Sequence, residues 1–235
     1  MSKHAPELSP RLALLAQWVP QGAALADVGT DHGYLPIALT LEGRLRRAVA
    51  SDLRPGPLGR GRAAAERWGV GGRIDFRLCG GLSAIRPEEI DTISIAGMGG
   101  ETICAILQAA PWTADGAHTL LLQPMTKAPE LRLWLTGHGY AICRERLAEE
   151  RGTLYPVLEA RAGRQTLSPG RLWAGADVTA DPLGDRHLIR QIVRLHMALA
   201  GVKRSAGAEK KAEGLRELMT ALLALREEWR RANGT

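Results

Sequence analysis

Two carboxylates and two glycines follow an apolar run in the stretch LADVGTDHGYLPIAL, residues 25–39. Asp27 and Asp31 alternate with Gly29 and Gly33, and apolar residues resume directly afterwards. Glycines let a backbone approach a ligand and adopt positive φ. Two carboxylates would repel a pyrophosphate, but they would attract a ligand that carries an amino group or another positive charge. The stretch therefore predicts a binding site for a cationic small molecule.

The second acid of this stretch argues against a dinucleotide site. Asp31 stands where the fingerprint G-x-G-x-x-G requires a glycine. An alternative without a ligand is a tight turn in which Asp31 caps the next helix. Asp52 follows Gly29 by 23 residues and ends the next predicted strand. An acid at that place usually accepts hydrogen bonds from ribose hydroxyls, although it could also be a turn residue before Pro55.

Glycine-rich stretches also end the third and fourth predicted strands. In CGGL, residues 79–82, the two glycines could border a planar ring or could be ordinary turn residues. In IAGMGGE, residues 95–101, glycines flank Met98 and leave a bare backbone against which a flat base could slide. Taken alone, the second motif would fit any glycine-rich turn between a strand and a helix.

The elements that must position these residues alternate between strand and helix. A helix over residues 8–20, with Ser9 as N-cap and Pro10 as first residue, precedes them. Five short apolar strands are predicted at residues 23–29, 47–53, 74–81, 91–100 and 118–125. Alternation of this kind means a parallel sheet covered on both faces. Residues 141–161 then indicate a closing β-hairpin, which is the arrangement of S-adenosylmethionine-dependent methyltransferases. We therefore predict an α/β, Rossmann-like class I methyltransferase domain with S-adenosylmethionine as cofactor.

Composition places this domain in a soluble globular protein. The chain has 235 residues, of which 45% are hydrophobic and 24% charged. Its three cysteines have neither metal-ligand nor disulfide spacing, which favours a reducing cytoplasm. The N-terminus lacks an apolar signal region, and no run approaches 18 apolar residues. We expect a cytoplasmic protein without metal or membrane contact, and favour a monomer.

The C-terminal third carries the net charge of +6, because residues 161–235 contain 14 Lys/Arg and 8 Asp/Glu. Residues 163–182 resemble a connection, and leucine seams at heptad spacing follow it on both sides of KRSAGAE. We predict a methyltransferase domain over residues 1–165, and a linker with a helical, coiled-coil hairpin over residues 166–235. A localised basic segment suggests nucleic acid as partner. The alternative is a solvated, arginine-rich helical surface.

Six strings in this order make the resemblance specific: LSPRL, LADVGTDHGYLPIAL, DTISIAGMGG, LLQPM, LRLWLTGHGY and EERGTLYPVLEA. Together they resemble the TrmK family, the bacterial tRNA (adenine(22)-N1)-methyltransferases. The resemblance covers residues 8 to about 160, and the predicted hairpin fits the small coiled-coil domain of that family. It implies methylation of N1 of an adenine in the D-arm of tRNA. Gly81 and Met125 depart from the family, which often has a polar residue and Asn there.

Motifs and resemblance together assign the site. The expected cofactor-binding residues are Asp27, Gly29, Thr30, Asp31, Asp52, Leu53, Gly80, Gly81, Ala96 and Gly97. The expected residues at the methyl-transfer point are Met98, Gly99, His32, Tyr34 and Gln123. Tyr34 could stack on the target base and Gln123 could bind its edge, whereas His32 and Tyr34 could also be a helix-start residue and a core aromatic. Arg11 could contact cofactor or RNA, or form a surface salt bridge.

Three alternative functions stay open on the sequence. The domain could methylate another nucleic acid or a small molecule, because the fold signals would be unchanged. A nucleotide-dependent oxidoreductase is opposed by Asp31 and by the closing hairpin. A non-catalytic RNA-binding adaptor could be built on the helical hairpin. The sequence shows no convincing Ser/His/Asp or Cys/His arrangement, so the expected catalysis is proximity and orientation rather than a side-chain nucleophile.

Overall fold

The computed structural model describes residues 5–202 and 208–234. The strands in these ranges are β1 (Ala23–Val28), β2 (Leu45–Asp52), β3 (Ile74–Leu78), β4 (Thr92–Gly99), β5 (Thr119–Thr126), β6 (Tyr140–Glu150) and β7 (Thr153–Ala162). The α-helices are α1 (Pro10–Trp18), α2 (Tyr34–Leu41), α3 (Pro55–Trp68), α4 (Gly100–Gln108), α5 (Ala128–Gly137), α6 (Pro169–Ala174), α7 (Gly184–Ala200) and α8 (Ala208–Asn233).

The strands form one sheet in the order β3-β2-β1-β4-β5-β7-β6. The pairs β1–β2, β2–β3, β1–β4 and β4–β5 are parallel, whereas β5 pairs with β7 antiparallel. The predicted Rossmann-like methyltransferase fold, including the antiparallel inserted strand, is therefore confirmed. The chain reverses its direction of travel across the sheet between β1 and β4. In such sheets ligands bind beyond the carboxyl ends of the strands at that reversal.

Burial explains why β1 occupies the centre of the sheet. All six of its residues, AALADV, are buried, as expected for a strand covered on both faces. Leu25 packs in one core cluster with Leu15 of α1 and Leu39 of α2. On the other side of α2, Ile37 packs with Ala50 of β2 in a second cluster. The apolar faces of these helices thus fix the strand ends from which the site is built.

The structure adds local detail to the predicted elements. The first helix is shorter than predicted and begins at Pro10, and Ser9 occupies the N-cap position without a side-chain capping hydrogen bond. The turn of the β6–β7 hairpin has positive φ at Arg151 and Gly152, of 50° and 76°. The predicted connection contains the short helix α6, whose N-cap Ser168 accepts a hydrogen bond from the Arg171 N–H.

The chain divides into two compact units, residues 1–143 with 148–165, and residues 144–147 with 166–235. In the second unit, the antiparallel helical pair predicted from the leucine seams is present as α7 and α8. Their core joins Leu188 and Leu195 to Leu222 and Leu225, and Ala174 of α6 belongs to the same cluster. Helix α6 thus shares the core of the hairpin. No helix in the described residues is long and apolar enough to cross a membrane.

Candidate active site

A cavity of about 830 Å³ lies beyond the carboxyl ends of β1, β2 and β4. The predicted residues that line it are Gly29, Asp31, Asp52, Leu53, Gly80, Gly81, Ala96, Gly97 and Met98. The other lining residues include Val28, Arg54, Cys79, Leu82, Ser83, Ile85, Thr102, Ala105, Ile106, Ala109, Ala110 and Trp112. The volume is in the range of sites for small molecules and cofactors. Four separate sequence motifs therefore meet in one cavity.

Two carboxylates face this cavity from different loops. Asp52 is buried, and its Oδ1 accepts a hydrogen bond of 2.9 Å from the Arg54 N–H, which orients the carboxylate at the end of β2. Asp31 has a φ of 46°, in the left-handed region. Its Oδ1 accepts a hydrogen bond of 2.7 Å from Nη2 of Arg60 on α3. The cavity therefore has one buried acid and one solvent-exposed acid, both held by partners.

Asp27 and Thr30 do not line the cavity, which differs from the prediction that they bind the cofactor directly. Both are buried, and the Thr30 hydroxyl donates a hydrogen bond of 2.7 Å to Oδ2 of Asp27. Burial raises the pKa of Asp27 to about 6, the Thr30 hydrogen bond opposes this shift, and the charge of Asp52 adds to it. These two residues therefore support the loop after β1 from inside the protein, and the carboxylate of Asp27 adds negative charge beneath the cavity.

The raised pKa of Asp27 predicts a pH-dependent gain in stability for Asp27→Asn. The folded carboxyl binds its proton more tightly than an unfolded one with a pKa of 3.8, so the free energy of unfolding falls as pH rises from about 4 to about 6. Asparagine does not titrate and so does not lose this stability. The difference in the free energy of unfolding between Asp27→Asn and wild type should therefore shift in favour of the variant by about 2–3 kcal/mol between pH 4 and pH 7. Urea denaturation at both pH values measures this. A difference that stays constant with pH would contradict the burial effect.

The glycines explain how the backbone comes close to the cavity. Gly29 has a φ of 74°, and a Cβ built on it would overlap the terminal methyl of Met98. Gly97 has a φ of 76° with open space around it, so its requirement for glycine is conformational. A Cβ on Gly81, whose φ is 57°, would lie 3.1 Å from Ile106 of α4. Met98 therefore packs against the bare backbone of the first loop.

Gly99 and Gln123 differ from their predicted places at the methyl-transfer point, because neither lines the cavity. Gly99 is the N-cap of α4 with an ordinary φ of −67°, and a Cβ there would meet Oγ1 of Thr126 at 3.3 Å. Gln123 is fully buried, and its amide is hydrogen-bonded within the protein. The Gln123 amide is therefore engaged within the protein and is not exposed at the cavity, and its contact with the base edge stays a prediction.

His32 and Tyr34 stand on the loop that carries Asp31, outside the cavity lining. Their rings are stacked, with centroids 5.2 Å apart and planes at 11°. Tyr34 is the first residue of α2 and is 41% exposed, so the interpretation as a core aromatic does not hold. The stacked pair presents an aromatic surface next to the loop that lines the cavity.

The apolar wall of the cavity was not identified from the sequence. It comes largely from α4 and the segment after it. Thr102, Ala105, Ile106 and Ala109 recur at helical spacing and share the cavity-lining face, and Trp112 follows them. In the sequence, this helical spacing directly after the glycine-rich segment is the pattern that predicts such a wall. Together, this apolar wall and the two acids form a slot for a ligand with a flat ring, hydroxyls and a positive charge.

The fold and the site define a Rossmann-fold methyltransferase, and a family model described as a methyltransferase domain matches residues 8–158. The tRNA (adenine(22)-N(1))-methyltransferase of Bacillus subtilis is 40% identical over 157 residues, which cover 67% of this chain and 66% of that protein. The crystal structure of B. subtilis TrmK, an m1A22 tRNA methyltransferase, has a TM-score of 0.83 at 29% identity and covers 94% of this chain and 99% of that one.

A third similar structure is Streptococcus pneumoniae Sp1610 in complex with S-adenosyl-L-methionine. It has a TM-score of 0.83 at 32% identity and covers 94% of this chain and all of that one. The chain belongs to the TrmK family of tRNA methyltransferases. This membership confirms the resemblance found in the motifs and excludes the oxidoreductase alternative.

Proposed function

We propose that this protein transfers a methyl group from S-adenosylmethionine to N1 of the adenine at position 22 in the D-arm of tRNA, in the cytoplasm. The observation that carries the proposal is a cavity with two acids and a bare glycine backbone at the switch point of the sheet. It occurs in a chain that is 40% identical to an enzyme named for this reaction.

The residues of the cavity fit the cofactor. Asp52 lies where a carboxylate can accept hydrogen bonds from ribose hydroxyls, and Leu53, Leu82 and Ile106 offer apolar surface to an adenine ring. Asp31 adds a negative charge, which suits a ligand with an ammonium group. The described residues contain no group of three or more His, Cys, Asp or Glu side chains that could hold a metal ion.

Bound S-adenosylmethionine supplies a methyl group activated on a sulfonium, which the lone pair of an unpaired adenine N1 can accept. The protein's contribution is orientation, because the open space at Gly97 leaves room for a flat group, and the bare backbone of Gly29 lets Met98 pack close to it. The nearby carboxylates offset the positive charge that moves onto the base. In a folded tRNA, the adenine must first be freed from its stack. The exposure of the Tyr34 ring supports our proposal that it stacks on the freed base.

Mapping the modified nucleotide tests the function. The protein is incubated with labelled S-adenosylmethionine and tRNA that lacks modifications, and the labelled position is identified by nuclease digestion and mass spectrometry. We expect 1-methyladenosine at position 22, and none in a tRNA with a different base there. Label in DNA or in small-molecule acceptors, but not in tRNA, would favour the alternative of another substrate. A protein that does not bind S-adenosylhomocysteine would contradict the cofactor assignment.

We also propose that the second unit supplies affinity for tRNA. Several of its arginines are engaged in ion pairs, such as Arg226 with Asp185 at 2.6 Å and Arg171 with Glu228 at 2.7 Å. Arg194 of α7 and Lys210 and Lys211 of α8 are exposed. Lys203 and Arg204 add to the basic charge of this unit but lie outside the described residues, whereas Arg186 and Arg190 belong to α7. Exposed cations of this kind can neutralise phosphates.

The combined change Arg194→Glu, Lys210→Glu and Lys211→Glu should weaken tRNA binding and leave cofactor binding intact. Each lost phosphate contact removes about 0.9 from the slope of log K against log salt on a duplex, so loss of all three removes roughly 2.7. Filter binding between low and moderate salt measures the slope. The matched control is Arg194→Lys, Lys210→Arg and Lys211→Arg, which keeps the charge. An unchanged slope in the acidic variant would place RNA recognition on the methyltransferase unit.

A further inference from the structure

A buried glutamine on β5 holds the glycine-rich carboxyl end of β4 in place. Gln123 is fully buried, and its Oε1 accepts a hydrogen bond of 3.1 Å from the Gly97 N–H. Its Nε2 donates to the Pro124 carbonyl at 2.8 Å. With donor and acceptor both engaged, the amide can occupy only one orientation, since a flip would oppose Nε2 to the Gly97 N–H. The turn that carries Met98 is therefore tied to the core through one side-chain oxygen.

Arg11 of α1 holds the same oxygen from the other side. Its Nη1 donates to Oε1 of Gln123 at 2.5 Å, and its Nε donates to Oε2 of Glu150 at 2.7 Å. Its Cζ lies 5.0 Å from the centre of the Tyr155 ring, and its side chain is only 16% exposed. The Arg11 guanidinium also lowers the pKa of Glu150. A surface salt bridge would need none of the contacts to Gln123 and Tyr155, so the geometry goes beyond that interpretation.

The hydrogen bond from Gly97 fixes a whole peptide plane. In a trans peptide the carbonyl of Ala96 and the N–H of Gly97 point in opposite directions, so the Ala96 oxygen is turned away from Gln123. Gly97 then continues with a φ of 76°, and Met98 follows against Gly29. Ala96, Gly97 and Met98 all line the cavity. A rotation of this one peptide would move three cavity-lining residues together.

We propose that Arg11 is a positioning residue for methyl transfer. It acts through Gln123, which holds the Gly97 peptide, and it thereby sets the backbone against which the target base lies. The role rests on the proposed function for its effect on turnover, but the hydrogen bond itself exists without substrate. Arg11 does not line the cavity, so its loss should leave cofactor binding unchanged.

The test compares Arg11→Met and Gln123→Leu in the full chain. Arg11→Met removes the donor to Gln123, and Gln123→Leu removes the acceptor of the Gly97 N–H. We expect kcat to fall ~10- to 100-fold in both variants, with the affinity for S-adenosylhomocysteine within ~2-fold of wild type. In cofactor-free protein, hydrogen exchange at the Gly97 amide should accelerate ~10-fold in both.

Arg44→Met is the matched control. The Arg44 guanidinium donates to the carbonyl of Val19, the C-cap residue of α1, at 2.5 Å, so it also holds α1, but through the end of the helix that lacks Arg11. It should leave kcat and the exchange of Gly97 unchanged. Equal losses of kcat in Arg11→Met and Arg44→Met, or Gly97 exchange as slow in Arg11→Met as in wild type, would overturn the positioning role. If the wild type fails to methylate tRNA, the proposed function fails, and the exchange measurement still decides the role of Arg11.

Discussion

Replacing Gly29 with alanine is expected to lower the rate of methyl transfer by a factor of ~100 or more. A side chain at a φ of 74° is strained, and its Cβ would overlap the terminal methyl of Met98. Met98 lines the cavity, so it must move within the space that the cofactor and the target base share. Displacements of about 1 Å in a reactive alignment can cost about 100-fold in rate. Single-turnover methylation at saturating cofactor measures the effect.

Gly22→Ala is the control for backbone strain. Gly22 has a φ of 76°, close to that of Gly29, but nothing lies within 4 Å of a Cβ built on it. Both variants should lose about 1 kcal/mol of stability from the strained φ. Only Gly29→Ala should lose turnover. Equal activity in the two variants would mean that the contact between Gly29 and Met98 has no part in the reaction.

Asp52→Ala should weaken the binding of S-adenosylhomocysteine by about 1–3 kcal/mol, which corresponds to roughly 5- to 150-fold. The buried carboxylate is oriented by the Arg54 N–H and faces the cavity, so ribose hydroxyls would lose a charged acceptor. Calorimetry at constant pH measures the affinity. Asp75→Ala is a suitable control, because Asp75 pairs with Arg77 on β3 and does not line the cavity. Wild-type affinity in Asp52→Ala would remove the ribose assignment.

Much of the cavity could be predicted because its residues follow strand ends. Parallel strands bring their carboxyl ends to one edge of the sheet, so acids and glycines at the ends of β1 and β2 lie at that edge. The sequence therefore located Gly29, Asp31 and Asp52 at the cavity. It misplaced Asp27, because the residue type on a strand does not show whether a side chain reaches the cavity or lies beneath it. It misplaced Thr30 because the hydroxyl of Thr30 is bound to Asp27.

The misplacement of Gly99 has a different physical cause. The pairing of β4 with β5 is irregular between Ala96 and Met98 and again between Met98 and Gly99. An irregularity of this kind shifts the positions after it relative to the neighbouring strand, and a run of glycines does not reveal where it falls. Gln123 pairs with Ala96 before the first irregularity, and its side chain accepts from the Gly97 N–H inside the protein. The partner of Asp31 was also out of reach, because Arg60 stands 29 positions away on another helix. The spacing of residues within one segment does not predict contacts between distant segments.

Helix α6 was missed in the C-terminal unit for a reason of size. Six residues containing Pro169 and Gly170 carry too little periodicity to separate a helix from a turn. The leucine seams of α7 and α8 were long enough to be recognised.

The assignment of residues 144–147 to the second unit has a consequence for synthesis on the ribosome. The N–H groups of Glu145 and Leu147 donate to the side chains of Asp177 and Asp181, each at 2.8 Å, and the Glu145 carboxylate accepts from the Ala176 N–H. These partners are translated about thirty residues later. Until the tail emerges, these two amides of β6 lack their carboxylate partners, so a nascent or prematurely terminated chain ending near residue 165 presents unpaired strand amides to chaperones and proteases.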